Sequence, residues 1–167
     1  ALPASALMAG ADVTDLQTDG VILDGGKRIA ARGVIDARGP RGPMPGLDLA
    51  WQKFVGVEFS VPDHGLARPI IMDGTVDQLD GYRFVYSLPF AGDRLFVEDT
   101  YYSDSADLNV PMIRARVHDY AAANGWDGPG KREETGVLPV LLDGNPTEFW
   151  PASDPIPRLG IAGGFFH

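Results

Sequence analysis

The chain has 167 residues, long enough for one ordinary domain with a real core, and its 44% hydrophobic and 22% charged residues are those of a soluble globular protein. A formal net charge of -9 argues against a nucleic-acid partner and against attachment to anionic lipid by charge alone, while leaving apolar membrane contact open. The absence of cysteine excludes a disulfide framework, a thiol nucleophile and any Cys-based metal site.

No run approaches the roughly 18 apolar residues of a spanning helix. The opening ALPASALMAGADV lacks the basic start and long apolar core of a signal peptide. It begins without Met, and the chain stops in the apolar, glycine-rich GIAGGFFH, so a fragment of a longer protein is expected.

In chain order, residues 11 to 37 read as short strands joined by tight turns. Asp12 to Gln17 and Val21 to Leu23 are strands, Asp24-Gly25-Gly26 is a hairpin-closing turn, and Arg28 to Ala31 pairs back. Gly33 to Ala37 reads as a buried apolar strand running into Arg38-Gly39. Open α/β sheets bind cofactors at such strand ends, although an ordinary turn is the simpler reading. Gly39 to Gly46 (GPRGPMPG) is a boundary signal or a loop within one domain. Trp51 to Val61 has strand composition, with Val55, Val57 and Phe59 on one face and Phe54, Gly56 and Glu58 on the other. A polar loop with His64 follows, then a short strand from Pro69 to Asp73.

Gly81 to Tyr102 reads as a hairpin, with arms Tyr82 to Leu88 and Leu95 to Tyr102 around a turn at Ala91-Gly92-Asp93-Arg94. The second arm carries adjacent acids, Glu98 and Asp99, which strand alternation sends to opposite faces. One faces solvent, and the other shares or underlies the face of Phe96, Thr100 and Tyr102. An acid on an apolar face has its pKa raised by desolvation and is a candidate proton donor; the plain alternative is an edge acid in water or in an ion pair.

One helix is signalled over about residues 109–123. Asn109 or Asp107 caps it, Pro111 lies in its first turn, and Gly125 follows it. Val110, Ile113, Val117, Tyr120 and Ala121 form one apolar stripe to lie across a sheet. Gly136 to Leu142 reads as a buried strand, with Pro139 implying an edge or an interrupted ladder, and Asp143 to Pro157 as a Pro-rich return. His64, His118 and His167 have no ligand spacing, so no metal site is expected, and no GxSxG, GxGxxG or GxxxxGK[ST] occurs.

Seven phrases, taken in order, resemble the lycopene cyclases of carotenoid synthesis, the bacterial β-cyclase type above all. They are VIDARGP (Val34 to Pro40), LAWQKFVGVE (Leu49 to Glu58), PIIMDGTVDQ (Pro69 to Gln78), GYRFVYSLPF (Gly81 to Phe90), DRLFVEDTYYSD (Asp93 to Asp104), REETGVLPV (Arg132 to Val140) and GIAGGFFH (Gly160 to His167). The resemblance implies an α/β fold like that of the flavoprotein hydroxylases. Part of a Rossmann-like FAD-binding domain (1–43) would be interleaved with a mixed-sheet substrate domain (44–157), and 158–167 would return to the FAD-binding domain. The family's dinucleotide fingerprint is missing, so the chain alone is expected to bind FAD poorly.

The implied reaction protonates a terminal double bond of lycopene, closes a six-membered ring on the resulting carbocation, and loses a proton. Lycopene becomes γ-carotene and then β-carotene without net redox change. Reduced FAD, kept so by NAD(P)H, is the implied cofactor, and peripheral membrane contact on the cytoplasmic side is the implied location. Phe96-Val97-Glu98-Asp99-Thr100 matches the family's acidic motif, which makes Glu98 the acid/base residue. Asp99 and Asp73 take supporting parts, with Asp73 orienting Glu98 or the flavin, or simply ending its strand. Arg38, Gly39, Gly163 and Gly164 fall on the flavin side. Trp51, Tyr82, Phe84, Tyr86 and Phe90 line a substrate tunnel by cation–π attraction, or are the sheet's core. A hydroxylase or isoprenoid reductase of the same fold, and a non-catalytic module for an apolar ligand, are the alternatives.

Overall fold

Alternating apolar side chains on long strands have to be covered on at least one face, and here a single helix does so. The computed structural model describes residues 3–39 and 42–166; Ala1, Leu2, Pro40, Arg41 and the terminal His167 lie outside the described residues. The chain divides into two units, residues 48–142 and residues 1–47 with 143–167.

The smaller unit contains β1 (Val13–Gln17), β2 (Gly20–Leu23) and β3 (Arg28–Ala30), three antiparallel strands in sequence order. A 3-10 turn over Asp24–Gly26 links β2 to β3, with Gly25 at φ 78°. The expected strand from Gly33 to Ala37 does not form. Ile35 is exposed, and pairing is limited to a parallel bridge between Asp36 and Arg158. A three-residue apolar run with no neighbouring strand to complete its ladder has nothing to bury against. Among the described residues that bridge is the one parallel pairing of this unit, so the open parallel sheet of a Rossmann-like domain is not formed by them. The segment after Asp143 belongs here rather than with the larger sheet. Asn145 N–H donates to Gly46 O at 2.7 Å, and Phe149, on a short helix from Pro146 to Phe149, packs on Phe166.

The larger unit holds β4 (Leu47–Ser60), β5 (Ile70–Asp73), β6 (Arg83–Ala91), β7 (Arg94–Ser103), α1 (Val110–Ala123) and β8 (Gly130–Gly144). The strands form one sheet in the order β5-β6-β7-β4-β8, and β5 with β6, β6 with β7, and β7 with β4 run antiparallel. The hairpin β6–β7 closes with Ala91 opposite Arg94, as its turn chemistry predicts. Asn109 caps α1 by accepting from Met112 N–H, and Ile113, Val117 and Ala121 of the expected stripe are buried. They cover a core of Val55, Val57, Phe59, Val85, Leu95 and Val97, all on one sheet face. Strand β8 is longer than expected and lies at the sheet edge, with Leu141 and Leu142 exposed, rather than being a buried strand. Pro139 is tolerated because an edge strand has a free side that needs no ladder donor.

Two glycines shape the opposite face. A Cβ on Gly56 would stand 2.1 Å from Phe96 Cζ, and one on Gly136 would stand 2.3 Å from Phe54 Cε1. Each ring therefore lies flat across a neighbouring strand. Gly56→Ala is expected to force Phe96 off its seat at a cost of roughly 1–3 kcal/mol. Urea denaturation checks it, and a Gly56→Ala/Phe96→Leu double variant should recover most of the loss.

Candidate functional site

The side of the sheet away from α1 is built from one parity of three strands. On β7 these residues are Phe96, Glu98, Thr100 and Tyr102. Across from them on β4 are Glu58, Gly56, Phe54 and Gln52, and on β6 Leu88, Tyr86 and Phe84. Rings dominate. Phe84 meets Tyr86 edge-on at 5.3 Å, Tyr82 stacks on Tyr102 at 6.4 Å, and Phe90 stacks on Phe96 at 5.6 Å.

Three carboxyl groups belong to this aromatic surface, and their surroundings differ. Glu58 is held by Arg94 at 2.6 Å, which keeps its carboxyl below the usual range. Glu134 pairs with Arg132. Glu98 is half-buried opposite Tyr86 and Gly56, and among the described residues no cation pairs with it. Burial pushes its pKa up; the Thr100 hydroxyl, 2.8 Å from Oε1, pulls it down, and the charge of Glu134 adds to the rise. The same burial, with the Glu98 charge, raises the Tyr86 phenol. A carboxyl group whose pKa is raised by burial beside aromatic faces is a candidate proton donor to an apolar ligand.

Asp99 points the other way, as strand alternation requires. It is fully buried on the α1 side, where its Oδ1 and Oδ2 accept from Arg83 Nε at 2.9 Å and Oδ2 accepts from Arg83 Nη2 at 2.6 Å. Arg83 Nη1 also donates to Asp77 O, so the pair ties the loop before β6 to the sheet. Asp73 lies opposite Val85, again on the α1 side. Its oxygens are taken by Thr75 N–H and Oγ1 and by the Tyr120 hydroxyl at 2.7 Å, so it joins β5 to α1 and is not brought to Glu98. These bonds lower the Asp73 pKa, and burial with the Asp73 partnership lifts Tyr120 to about 12.

Of the expected tunnel residues, Tyr82, Phe84 and Tyr86 share the face of Glu98, and Phe90 joins it through Phe96. Trp51 does not: it pairs with Ser103, one residue out of phase with Tyr102, and so stands on the α1 side. Phe96 and Thr100 stand beside Glu98 as strand alternation within β7 places them. Phe54 and Glu134 were not singled out by sequence reasoning: Phe54 becomes legible once the strand register is known, whereas Glu134 comes from a distant edge strand.

Arg38 and Gly39 line a cavity of about 580 Å³ in the smaller unit, together with Ala162, Asp154 and Arg158. Gly163 and Gly164 adjoin it in a 3-10 turn, where Gly163 packs on Arg158 O and Gly164 takes φ 80°. Arg38 binds Asp36 through Nε at 2.8 Å and Nη2 at 2.9 Å and holds that carboxyl down at about 2; Arg158 pairs with Asp154. A dinucleotide diphosphate needs free cations or unpaired backbone N–H groups. Both guanidiniums here are neutralised by carboxylates, so these residues do not by themselves fit one.

His64 accepts from Leu66 N–H at Nδ1 and thus donates from Nε2 to Ala91 O, and His118 stands edge-on to Phe59 at 5.0 Å. Among the described residues no His, Asp or Glu cluster could hold a metal, and no helix is long and apolar enough to cross a membrane.

Fold and site together define a mixed α/β protein, mostly antiparallel, whose sheet presents to an aromatic surface a carboxyl group with no cationic partner among the described residues. A family model described as "Lycopene cyclase protein" matches residues 5–167, and the chain belongs to that family. A lycopene beta-cyclase of Paracoccus sp. (strain N81106 / MBIC 01143) is 46% identical over 159 residues, 93% of this chain and 41% of that protein. One of Pantoea ananas is 45% identical over 157 residues, again 93% of this chain and 41% of the relative. The chain thus spans about two fifths of the length of these relatives. Among solved structures, the Diels-Alderase PyrE3 of pyrroindomycin biosynthesis shares the fold at a TM-score of 0.51 and 16% identity, over 91% of this chain and 34% of that one.

Proposed function

We propose that the whole protein is a lycopene β-cyclase of carotenoid biosynthesis that converts lycopene through γ-carotene to β-carotene, and that this chain supplies its acid. The observation that carries the reading is Glu98, the carboxyl group of the aromatic face that has no cationic partner among the described residues. A neutral Glu98 transfers its proton to the terminal double bond of the linear end group. The neighbouring double bond attacks the resulting cation and closes a six-membered ring. Loss of a ring proton gives the β-ionone end, and its return to a carboxylate leaves no net change in redox state or composition, which is an isomerisation by intramolecular addition.

Two features support that chemistry. Water competes for any carbocation, and the rings around Glu98 displace it from the reacting end. The faces of Tyr86 and Tyr102, both only partly buried, attract a passing cation electrostatically, by about 0.5–2 kcal/mol each when desolvated. For the whole protein we propose a fold of the flavoprotein-hydroxylase kind, with FAD in its reduced form as cofactor and NAD(P)H as reductant; the chemistry written above is carried by protein residues. The substrate partitions into lipid, so we also propose peripheral contact with the cytoplasmic side of the membrane.

Expressing the full-length protein in a bacterial host that accumulates lycopene tests the reading. β-Carotene is expected, with NAD(P)H consumed well below one equivalent per ring formed. Stoichiometric NAD(P)H oxidation or a hydroxylated product would point instead to a hydroxylase or reductase.

A further inference from the structure

Thr100 follows Glu98 by two residues on β7, so both side chains stand on the aromatic face. It is fully buried, flanked in register by Phe54 on β4 and Phe84 on β6. A β-branched side chain so enclosed keeps one rotamer. Its hydroxyl has a single proton to donate, and that proton goes to Glu98 Oε1 at 2.8 Å.

Glu98 Oε2 is placed differently. Among the described residues no donor reaches it, yet the one buried side-chain polar atom without a partner is Ser87 Oγ. Oε2 is therefore unpaired and accessible rather than buried. A neutral carboxyl group carries its proton on the oxygen that is not already receiving one.

We infer that Thr100 is a positioning residue for the cyclisation: by donating to Oε1 it keeps the acidic proton of Glu98 on Oε2, directed at the ligand. The inference rests on the reading of Glu98 as the acid. The hydroxyl also favours the ionised carboxylate and so makes Glu98 a stronger acid, which suits the protonation of a weakly basic alkene. The other charged or titratable groups facing Glu98 are Tyr86 from β6, Glu134 from β8 (paired with Arg132), Tyr102 along its own strand, and Glu58 from β4 (paired with Arg94). Gly56, directly opposite on β4, brings no side chain.

The test compares Thr100→Val, Thr100→Ser and Glu98→Gln in the full-length cyclase, with kcat and KM for lycopene measured across pH. Val keeps the shape and removes the donor. Thr100→Val is expected to lower kcat by about tenfold or more at unchanged KM, since a misdirected reacting group of this kind costs up to about a hundredfold. With the donor gone, the carboxylate is less favoured. The pH at which activity falls as Glu98 ionises should therefore move upward. Thr100→Ser restores the donor and should return both readouts to those of the parent enzyme. A Thr100→Val enzyme with the parent's kcat and pH limb overturns the role, as does a Thr100→Ser enzyme that falls as far as Thr100→Val. If Glu98→Gln stays active, the acid lies elsewhere and the underlying reading fails. If Glu98→Gln is inactive while Thr100→Val behaves like the parent, only the part given to Thr100 fails.

Discussion

Replacing Glu98 by Gln in the full-length protein is expected to abolish ring formation while the protein still folds and still binds lycopene. The substitution keeps size and hydrogen-bonding capacity but removes the transferable proton. General acid catalysis contributes on the order of 10²–10⁴-fold, and protonation of an unactivated alkene has no easier route in water, so the loss should lie at or beyond the upper end of that range. Stability should move the other way. Burial raises the Glu98 pKa, so the ionised form is disfavoured in the folded state, and folding becomes less favourable as pH rises through the folded value. Gln carries no such penalty. The variant's Tm at neutral pH should accordingly equal or exceed that of the parent. Pigment analysis in a lycopene-accumulating host, together with a thermal melt, measures both. β-Carotene at the parent's level would remove Glu98 from the mechanism.

Asp99→Ala is expected to have the largest effect on stability. Arg83 is nearly as buried as Asp99, with side-chain exposures of 7% and 0%. Removing the carboxylate strands a guanidinium in the sheet's packed face. Breaking a buried pair in this way costs roughly 3–5 kcal/mol, on the order of 10 °C in Tm for a domain of this size. The loss should be greater than for Asp73→Asn, because Asp73 meets only the neutral donors of Thr75 and Tyr120. An Arg83→Met/Asp99→Leu double variant should recover most of the stability, since a packed apolar pair of similar volume leaves no uncompensated charge. If Asp99→Ala melts within about 2 °C of the parent, the pair is not the support that its geometry implies.

Several elements are legible in the residues themselves. The α1 stripe, its Asn109 cap and the Gly125 that follows it all appear where spacing and capping chemistry put them, because these signals lie within one continuous helical segment and need no distant partner. The turn between β6 and β7 is legible for the same reason. Sequence and fold part where a segment depends on a distant neighbour. Gly33 to Ala37 has strand composition but no adjoining strand, and β8 is apolar over Gly136 to Leu142 yet ends up at an edge.

By itself the sequence determined that Glu98 and Asp99 stand on opposite faces, and that Phe96, Thr100 and Tyr102 share the parity of Glu98, because side-chain alternation is a local property of an extended backbone. Only the tertiary structure decided which of the two acids has a cationic partner and which has only a hydroxyl. Arg83 lies sixteen residues before Asp99, Arg94 is thirty-six residues from Glu58, and Glu134 approaches from the far edge of the sheet. Those partnerships follow from strand order and register, which set the charge near each carboxyl group. Glu98 differs from its neighbours because the fold gives Asp99 and Glu58 each an arginine and leaves Glu98 with a hydroxyl and aromatic rings.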